Sequence, residues 1–357
     1  MKISPLQIGS LFAPVPIVQG GMGVGISLSG LASAVANAGG IGVISGIQIG
    51  FQEPDFYQNS VRANQRALRK EIQKAKEQSL KGIIGVNFLT AMQRYTEMVK
   101  IAVEEKIDII FSGAGLPVEL PALIQGSQTK IIPIVSSAKA AAVITKLWGR
   151  KYNYLPDAIV VEGPEAGGHL GFSREELEGN TRQTQLPVLI QEVKKVLQPF
   201  EAKANRKVPL IAAGGIFTGA DIAKVLKLGA SGVQMGTRFI ATEECDAPPQ
   251  FKQLYIGLQK GQIGLINSPV GLPGRALQTS FTEEVAKHSI PVKKCLGCLK
   301  TCNPKETPYC ISEALVQATK GNQQEGLFFA GTNAYRMKEI VKVEELIGEL
   351  MKEIHMK

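Results

Sequence analysis

One histidine in this chain stands where a reagent would. Residues Val161 to Gly171 read Val-Glu-Gly-Pro-Glu-Ala-Gly-Gly-His-Leu-Gly, directly after the apolar run Ala158–Val161. The glycines around His169 let backbone approach a ligand closely, with no Cβ in the way. Of the other two histidines, His288 lies in a polar stretch and His355 in the C-terminal tail. An imidazole, with an ordinary pKa near 6.5, exchanges protons at neutral pH. Two glycine-rich segments follow, Ala212-Ala-Gly-Gly-Ile-Phe-Thr-Gly219 and Gln234-Met-Gly-Thr-Arg-Phe239. Glycine backbone N–H groups beside a helix start are suited to a phosphate. Arg275, in Gly271-Leu-Pro-Gly-Arg275, offers a guanidinium for bidentate contact with nitro, carboxylate or phosphate oxygens.

Four of the five cysteines crowd together as Cys295-Leu-Gly-Cys298, then Cys302 and Cys310. In a cytosolic protein that spacing is read as metal or cluster ligation before disulfides. The candidates are a tetrahedral zinc site and a [4Fe–4S] cluster. The plainer reading, four reduced thiols in a packed cap, stands beside them. Cys245 is alone and is expected to be a small buried residue.

The elements that must hold these groups repeat. Apolar runs at Ile17–Gly20, Ile41–Ser45, Ile83–Asn87, Ile109–Ser112, Lys130–Val135, Ala158–Val161, Leu210–Ala213 and Gly232–Met235 read as strands. Continuous apolar runs, rather than alternation, indicate a parallel sheet covered on both faces. Helical spacing fills the intervals at Leu31–Ala38, Tyr95–Glu105, Ala138–Trp148, Pro187–Leu197 and Ala220–Leu228. This rhythm predicts an α/β fold, a (β/α)8 TIM barrel. An open doubly wound sheet is disfavoured, since Gly20–Gly25 lacks the dinucleotide fingerprint spacing and the acidic residue that follows it. In a barrel the strand C-termini face the active site. They present Gln19-Gly-Gly-Met22, Asn87, Ser112–Gly115, Glu162 with His169, Gly214-Gly215 and Gln234–Thr237. The set has neither the Asp/His clusters of metal hydrolases nor a strand-end lysine for Schiff-base chemistry. Its last two segments fall after strands seven and eight, where barrels commonly bind phosphate.

The reading divides the chain into a barrel over residues 1–246 and a C-terminal cap over 247–357. The barrel carries a helical insertion at about 47–82, with a basic helix from Arg62 to Lys81. The cap holds the cysteine segment 295–310 and a last helix from Lys338 to about Glu353. The composition is 44% hydrophobic and 20% charged, enough for a large core and unlike a disordered chain. With no secretory leader pattern and no long apolar run, a cytoplasmic protein with no membrane partner is expected. The net charge of +9 suits anionic ligands. Scattered lysines and 6% aromatic residues argue for a solvated basic surface and no nucleic-acid partner.

Several motifs together resemble the nitronate monooxygenase (2-nitropropane dioxygenase) family, and FMN-dependent enoyl-acyl-carrier-protein reductases share them. They are Val18-Gln-Gly-Gly-Met22, Gly85-Val-Asn87, Glu162-Gly-x-Glu-Ala-Gly-Gly-His-x-Gly171, Ala213-Gly-Gly-Ile216 and Gln234-x-Gly-Thr-Arg-Phe239. The resemblance spans roughly residues 14 to 280. It implies non-covalent FMN at the barrel mouth, with Gly21, Met22 and Asn87 against the flavin. Glu162, Gly167, Gly214, Gly215, Gln234, Met235, Gly236 and Thr237 would also bind FMN, the later ones around its phosphate, and His169 matches the family's active-site histidine. Glu162 stands where several nitronate monooxygenases carry glutamine and is similar to the reductases. The cysteine segment is in turn similar to the iron–sulfur segment of the 2,4-dienoyl-CoA reductase type of FMN barrel.

The implied chemistry is oxidation of a small anionic nitronate with O2 to a carbonyl compound and nitrite. His169 would remove the α-proton of a neutral nitroalkane or hydrogen-bond its nitro group. The alternative is NAD(P)H-dependent reduction of an enoyl thioester, with the basic surface docking an acidic carrier protein. A flavin-binding sensor without turnover is the non-enzymatic reading.

Overall fold

All eight apolar runs fold into strands of one barrel. The computed structural model describes residues 3–179 and 181–356. A short antiparallel hairpin, β1 (Leu6–Ile8) and β2 (Leu11–Ala13), precedes the barrel. The barrel strands are β3 (Ile17–Gln19), β4 (Ile41–Ser45), β5 (Ile83–Leu89), β6 (Ile109–Gly113), β7 (Lys130–Val135) and β8 (Ile159–Glu162). A two-residue strand, β9 (Gly168–His169), lies outside the barrel. Then β10 (Leu210–Ala213) and β11 (Gly232–Met235) complete the ring, and β11 closes on β3 through Val233–Ile17 and its neighbours. Every barrel pairing is parallel. The ladder is thinnest between β3 and β4, where Gln19 acts in its place. The buried Gln19 amide accepts from Val43 N–H at 3.0 Å and donates to Val43 C=O at 3.2 Å.

Inside the ring, Val18, Ile41, Val43, Ile109, Phe111, Ile132, Val160 and Ile211 pack together. Leu6, Ile8 and Ala13 of the hairpin join that cluster, so the hairpin seals the end of the barrel away from the strand C-termini. This plug is absent from the sequence reading, because three-residue strands are too short to show periodicity.

The helices form close to where spacing places them: Ser29–Asn37, Tyr95–Glu104, Ala138–Tyr152, Leu186–Ala204 and Gly219–Lys227. Their ends follow local chemistry. Ser137 accepts from Ala140 N–H to start one helix, and the left-handed Asn153 ends it. Thr218 and Asp221 form a reciprocal cap on another. The helix Ser29–Asn37 borrows its cap from far along the chain, as Asp246 accepts from Leu28, Gly30 and Leu31 N–H at 2.7, 3.0 and 3.1 Å.

The basic helix runs from Ser60 to Gln78. Its Arg66 pairs with Glu53 and Asp55, and its Arg69 with Glu104 and Glu105. The last helix spans Val343–His355, starting five residues later than expected. Val341 is held instead in a parallel bridge with Thr242, and Val343 N–H donates to Glu244 at 2.9 Å. That helix packs on Gly219–Lys227, whose Gly219 has no space for a Cβ beside Leu350 C=O. After β11, β12 (Ile263–Asn267) and β13 (Pro273–Leu277) pair antiparallel, and β13 also pairs with β9. Among the described residues no helix is long and apolar enough to cross a membrane.

Candidate active site

At the C-terminal ends of the barrel strands lies a cavity of about 250 Å³. Gly21 and Met22 after β3, Asn87 on β5, Glu162 on β8, Gly214 and Gly215 after β10, and Gln234 to Thr237 at β11 all line it. Gly167 and His169 close one side. Every residue the sequence assigns to flavin or catalysis is therefore brought to one place, although the strands bearing them are spread along the chain.

Two spots show why glycine is required. A Cβ on Gly21 would stand 2.5 Å from the Asn87 Cβ. Gly214 and Gly215 adopt φ of +92° and +77°, which side chains rarely tolerate, and a Cβ on Gly215 would meet Glu165 at 2.0 Å.

His169 is fixed by backbone. As part of β9 it pairs with Gly274, and Leu170 N–H donates to Pro273 C=O at 2.8 Å. Its Nε2 lies 2.8 Å from Ser268 Oγ, and its ring meets the edge of Phe329 at 5.0 Å between centroids. Burial pushes its pKa down to about 4, so the imidazole is neutral at pH 7. Glu162 faces the same space with the opposite shift. Burial raises its carboxyl to about 8, and among the described residues no group hydrogen-bonds it. A protonated carboxylic acid aimed into a cavity both donates and accepts, and it needs a polar occupant to be satisfied.

Arg275 does not reach the cavity. It sits in β13, buried, with its guanidinium Nη1 donating to Pro164 C=O and to Ala166 C=O at 2.8 Å. The expected anion contact is corrected to a brace for the Glu162–Gly171 loop. The reading of the cysteines as metal ligands gains no support from the structure. Among the described residues no group of three or more His, Cys, Asp or Glu side chains is placed to hold a metal ion. Cys295 is exposed, Cys298, Cys302 and Cys310 are half-buried, and none is in a disulfide. The segment's backbone is stitched to the loop after β5. Gln93 N–H donates to Cys298 C=O at 2.9 Å, Lys300 N–H to Ala91 C=O at 2.9 Å, and Met92 bridges Leu299. Cys245 is buried, as expected.

Sequence reasoning missed the far wall. Phe329, Gly331 and Asn333 on that wall, and Ser268 behind His169, come from beyond the barrel strands, in segments with no period to read. Asn333 Nδ2 donates to Gly215 C=O at 2.7 Å, and Gly331 N–H donates to Thr237 Oγ1 at 3.0 Å. The Gly331-Thr-Asn333 turn chemistry was the one available signal.

The cavity has glycine backbone and a threonine hydroxyl at one end. A neutral imidazole and an unsatisfied carboxyl stand elsewhere on its wall. That donor set fits a phosphate tail and a polar ring system, with the Glu165 carboxylate lying against Gly215 at the phosphate end. Fold and site together define a TIM barrel with a ligand-sized cavity at the C-terminal ends of its strands. The chain belongs to the nitronate monooxygenase family, whose profile matches residues 7–353. A relative in Mycobacterium tuberculosis, a (3aS,4S,5R,7aS)-5-hydroxy-7a-methyl-1-oxo-octahydro-1H-indene-4-carboxyl-CoA dehydrogenase, is 30% identical over 276 residues, 77% of this chain. The chain spans 66% of that protein's length. A probable nitronate monooxygenase of Staphylococcus saprophyticus is 24% identical, covering 81% of this chain and 82% of its own. Among solved structures, FabK from Thermotoga maritima superposes with a TM-score of 0.73 at 27% identity, covering 96% of this chain and 93% of that one. A nitroalkane oxidase from Streptomyces ansochromogenes shares the fold, with a TM-score of 0.73 at 22% identity over 96% of each chain.

Proposed function

We propose that this protein oxidises alkyl nitronates with O2 to a carbonyl compound and nitrite. The observation that carries this reading is a neutral, backbone-fixed His169 on the wall of the cavity that the family motifs line. FMN bound there would supply the electron transfer. Gly214, Gly215, Gly236 and Thr237 would hold its phosphate by backbone N–H and hydroxyl donation. Gly21, Met22 and Asn87 would lie against its ring, with Gly167, Gln234 and Met235 completing the wall. Glu162, holding its proton at neutral pH, would donate to a ring acceptor.

His169 then does the work of orientation. An imidazole whose pKa has dropped to about 4 is a poor base for a carbon acid. It is still a good donor to an anionic oxygen, and Ser268 fixes its ring while it donates. The substrate on this reading is the preformed nitronate, with the neutral nitroalkane a poorer one. Nitrite release from ethyl nitronate in air by the purified yellow protein tests it. A rate on neutral nitroethane equal to that on the anion would overturn His169's assignment.

A second reading is favoured by the likeness to FabK and to a carboxyl-CoA dehydrogenase. In it NAD(P)H is the reductant, an enoyl thioester is reduced, and His169 donates toward the thioester carbonyl. Anaerobic NADH oxidation dependent on crotonyl thioester, with no nitrite formed from nitronates, would replace the first reading by this one.

A further inference from the structure

Behind His169 the cavity does not end. A second space of about 60 Å³ adjoins it as an arm, and His169, Ile47, Leu89 and Leu315 line both spaces. Its exposed wall is mostly apolar: Met92 and Met98 from the barrel side, and Leu296, Leu299 and Ile311 from the cysteine segment and the helix after it. All five are buried.

The polar groups along the arm are already paired. Gln48 donates to Ser312 Oγ at 3.0 Å and accepts from Asn64 at 2.7 Å, while Gln93 donates to Leu299 C=O at 3.1 Å. Arg94 is bound to Glu97 at 3.0 Å. Water in such a space finds few of the two to four partners it needs. An alkyl chain loses nothing there and leaves bulk water behind. The volume equals about four or five water-sized spheres, room for an unbranched chain of roughly four to six carbons.

We propose that this arm is a subsite for the straight alkyl tail of the substrate, whose polar head sits at His169. The substrate class is then a medium-chain compound, and the cysteine-bearing segment sets the chain length by supplying one wall. The proposal rests on the functional reading above only for the charge of the head group. The arm itself is independent of which reaction is catalysed.

Carboxylates have the planar, two-oxygen anionic head of a nitronate and are not turned over. Binding of straight-chain carboxylates from acetate to decanoate, and of 1-alkanols of the same lengths, is to be measured by calorimetry on the FMN-loaded protein. The dissociation constant is expected to fall about fourfold per methylene, as burial of each CH2 requires, and to level off near octanoate. Leu296→Trp is expected to weaken octanoate at least tenfold and flatten the series. Leu296→Ala is expected to move the plateau to longer chains, and the visible flavin band reports folding of both variants. An affinity independent of length in both series, or a length dependence unchanged in both variants, overturns the arm. Carboxylates that bind no tighter than alkanols of equal length, with the length dependence intact in both series, support the arm and overturn only the anionic-head reading.

Discussion

The two ionisable groups in the cavity are displaced in opposite directions by one cause, loss of water. His169 is held neutral down to about pH 4 and Glu162 is held neutral up to about pH 8. For catalysis this predicts that kcat/KM with a nitronate shows no inflection near pH 6.5, the value of a free imidazole. His169→Ala removes a hydrogen bond to a charged oxygen and is expected to lower kcat/KM about 10- to 100-fold with FMN retained. Ser268→Ala removes only the group that orients the ring, and about two- to tenfold is expected from the same constant. A Ser268→Ala loss as large as that of His169→Ala would show Ser268 to be more than an orienting group. Stability carries the signature of both groups in flavin-free protein. An unfolded glutamate releases its proton near 4.5, whereas Glu162 keeps it to about 8. The native state therefore binds more protons over that window, and the stability present below pH 4.5 drains away as pH rises through 8. His169 acts the other way. Its contribution is present above 6.5 and is lost as pH falls through 4. Below 6.5 the two slopes oppose, and from 6.5 to 8 only Glu162 acts. The melting temperature is thus expected to fall between pH 6.5 and 8 by a degree or two for each kcal/mol. In Glu162→Gln, measured by thermal melts across that range, the fall should vanish.

At the scale of elements, the site depends on supports that lie far away in sequence. Asp246 caps the helix Ser29–Asn37 across more than two hundred residues, accepting three backbone N–H groups. Its burial raises its pKa while those bonds lower it, with burial the larger effect. Asp246→Ala leaves the three donors without that partner, and about 1–2 kcal/mol of stability should be lost in denaturant melts. Asp246→Asn, which still accepts, should recover part of it. The strands and helices were legible because each repeats an apolar period that burial on both faces enforces. The site's barrel half was legible for a different reason, since glycines, an amide and a histidine at strand ends are conspicuous against apolar runs. Arg275 was misread because its type signals anion binding, whereas its neighbours in space, the Pro164 and Ala166 carbonyls, are invisible in the chain order. The cysteine reading rested on spacing alone. Spacing brought them near each other, but hydrogen bonds to Ala91 and Gln93 fix the segment's course. Ser268 and Asn333 carried at most a turn signal, since a lone hydroxyl or amide in a turn looks like any other.

Taken whole, the molecule wraps two stretches of chain around one cavity. The net charge of +9 is not concentrated at Arg66 and Arg69 of the basic helix, which face four carboxylates. Exposed pairs of this kind add little to stability but do cancel local field. The cavity is a better guide to how the parts cooperate. Barrel residues such as Gly215 and Thr237 bond directly to Asn333 and Gly331 of the C-terminal stretch. A ligand filling that space touches both stretches at once, so its binding energy adds to the stability of both. Ligand at a hundred times its dissociation constant adds about 2.7 kcal/mol. Calorimetric melts of this protein should accordingly show one transition that shifts upward as a unit when FMN is added. Asn333→Ala should shrink the shift, because a donor tying the two stretches together at Gly215 is gone. Two transitions, with FMN moving only one, would mean that the barrel and the C-terminal stretch unfold as separate units and that the flavin belongs to the barrel alone.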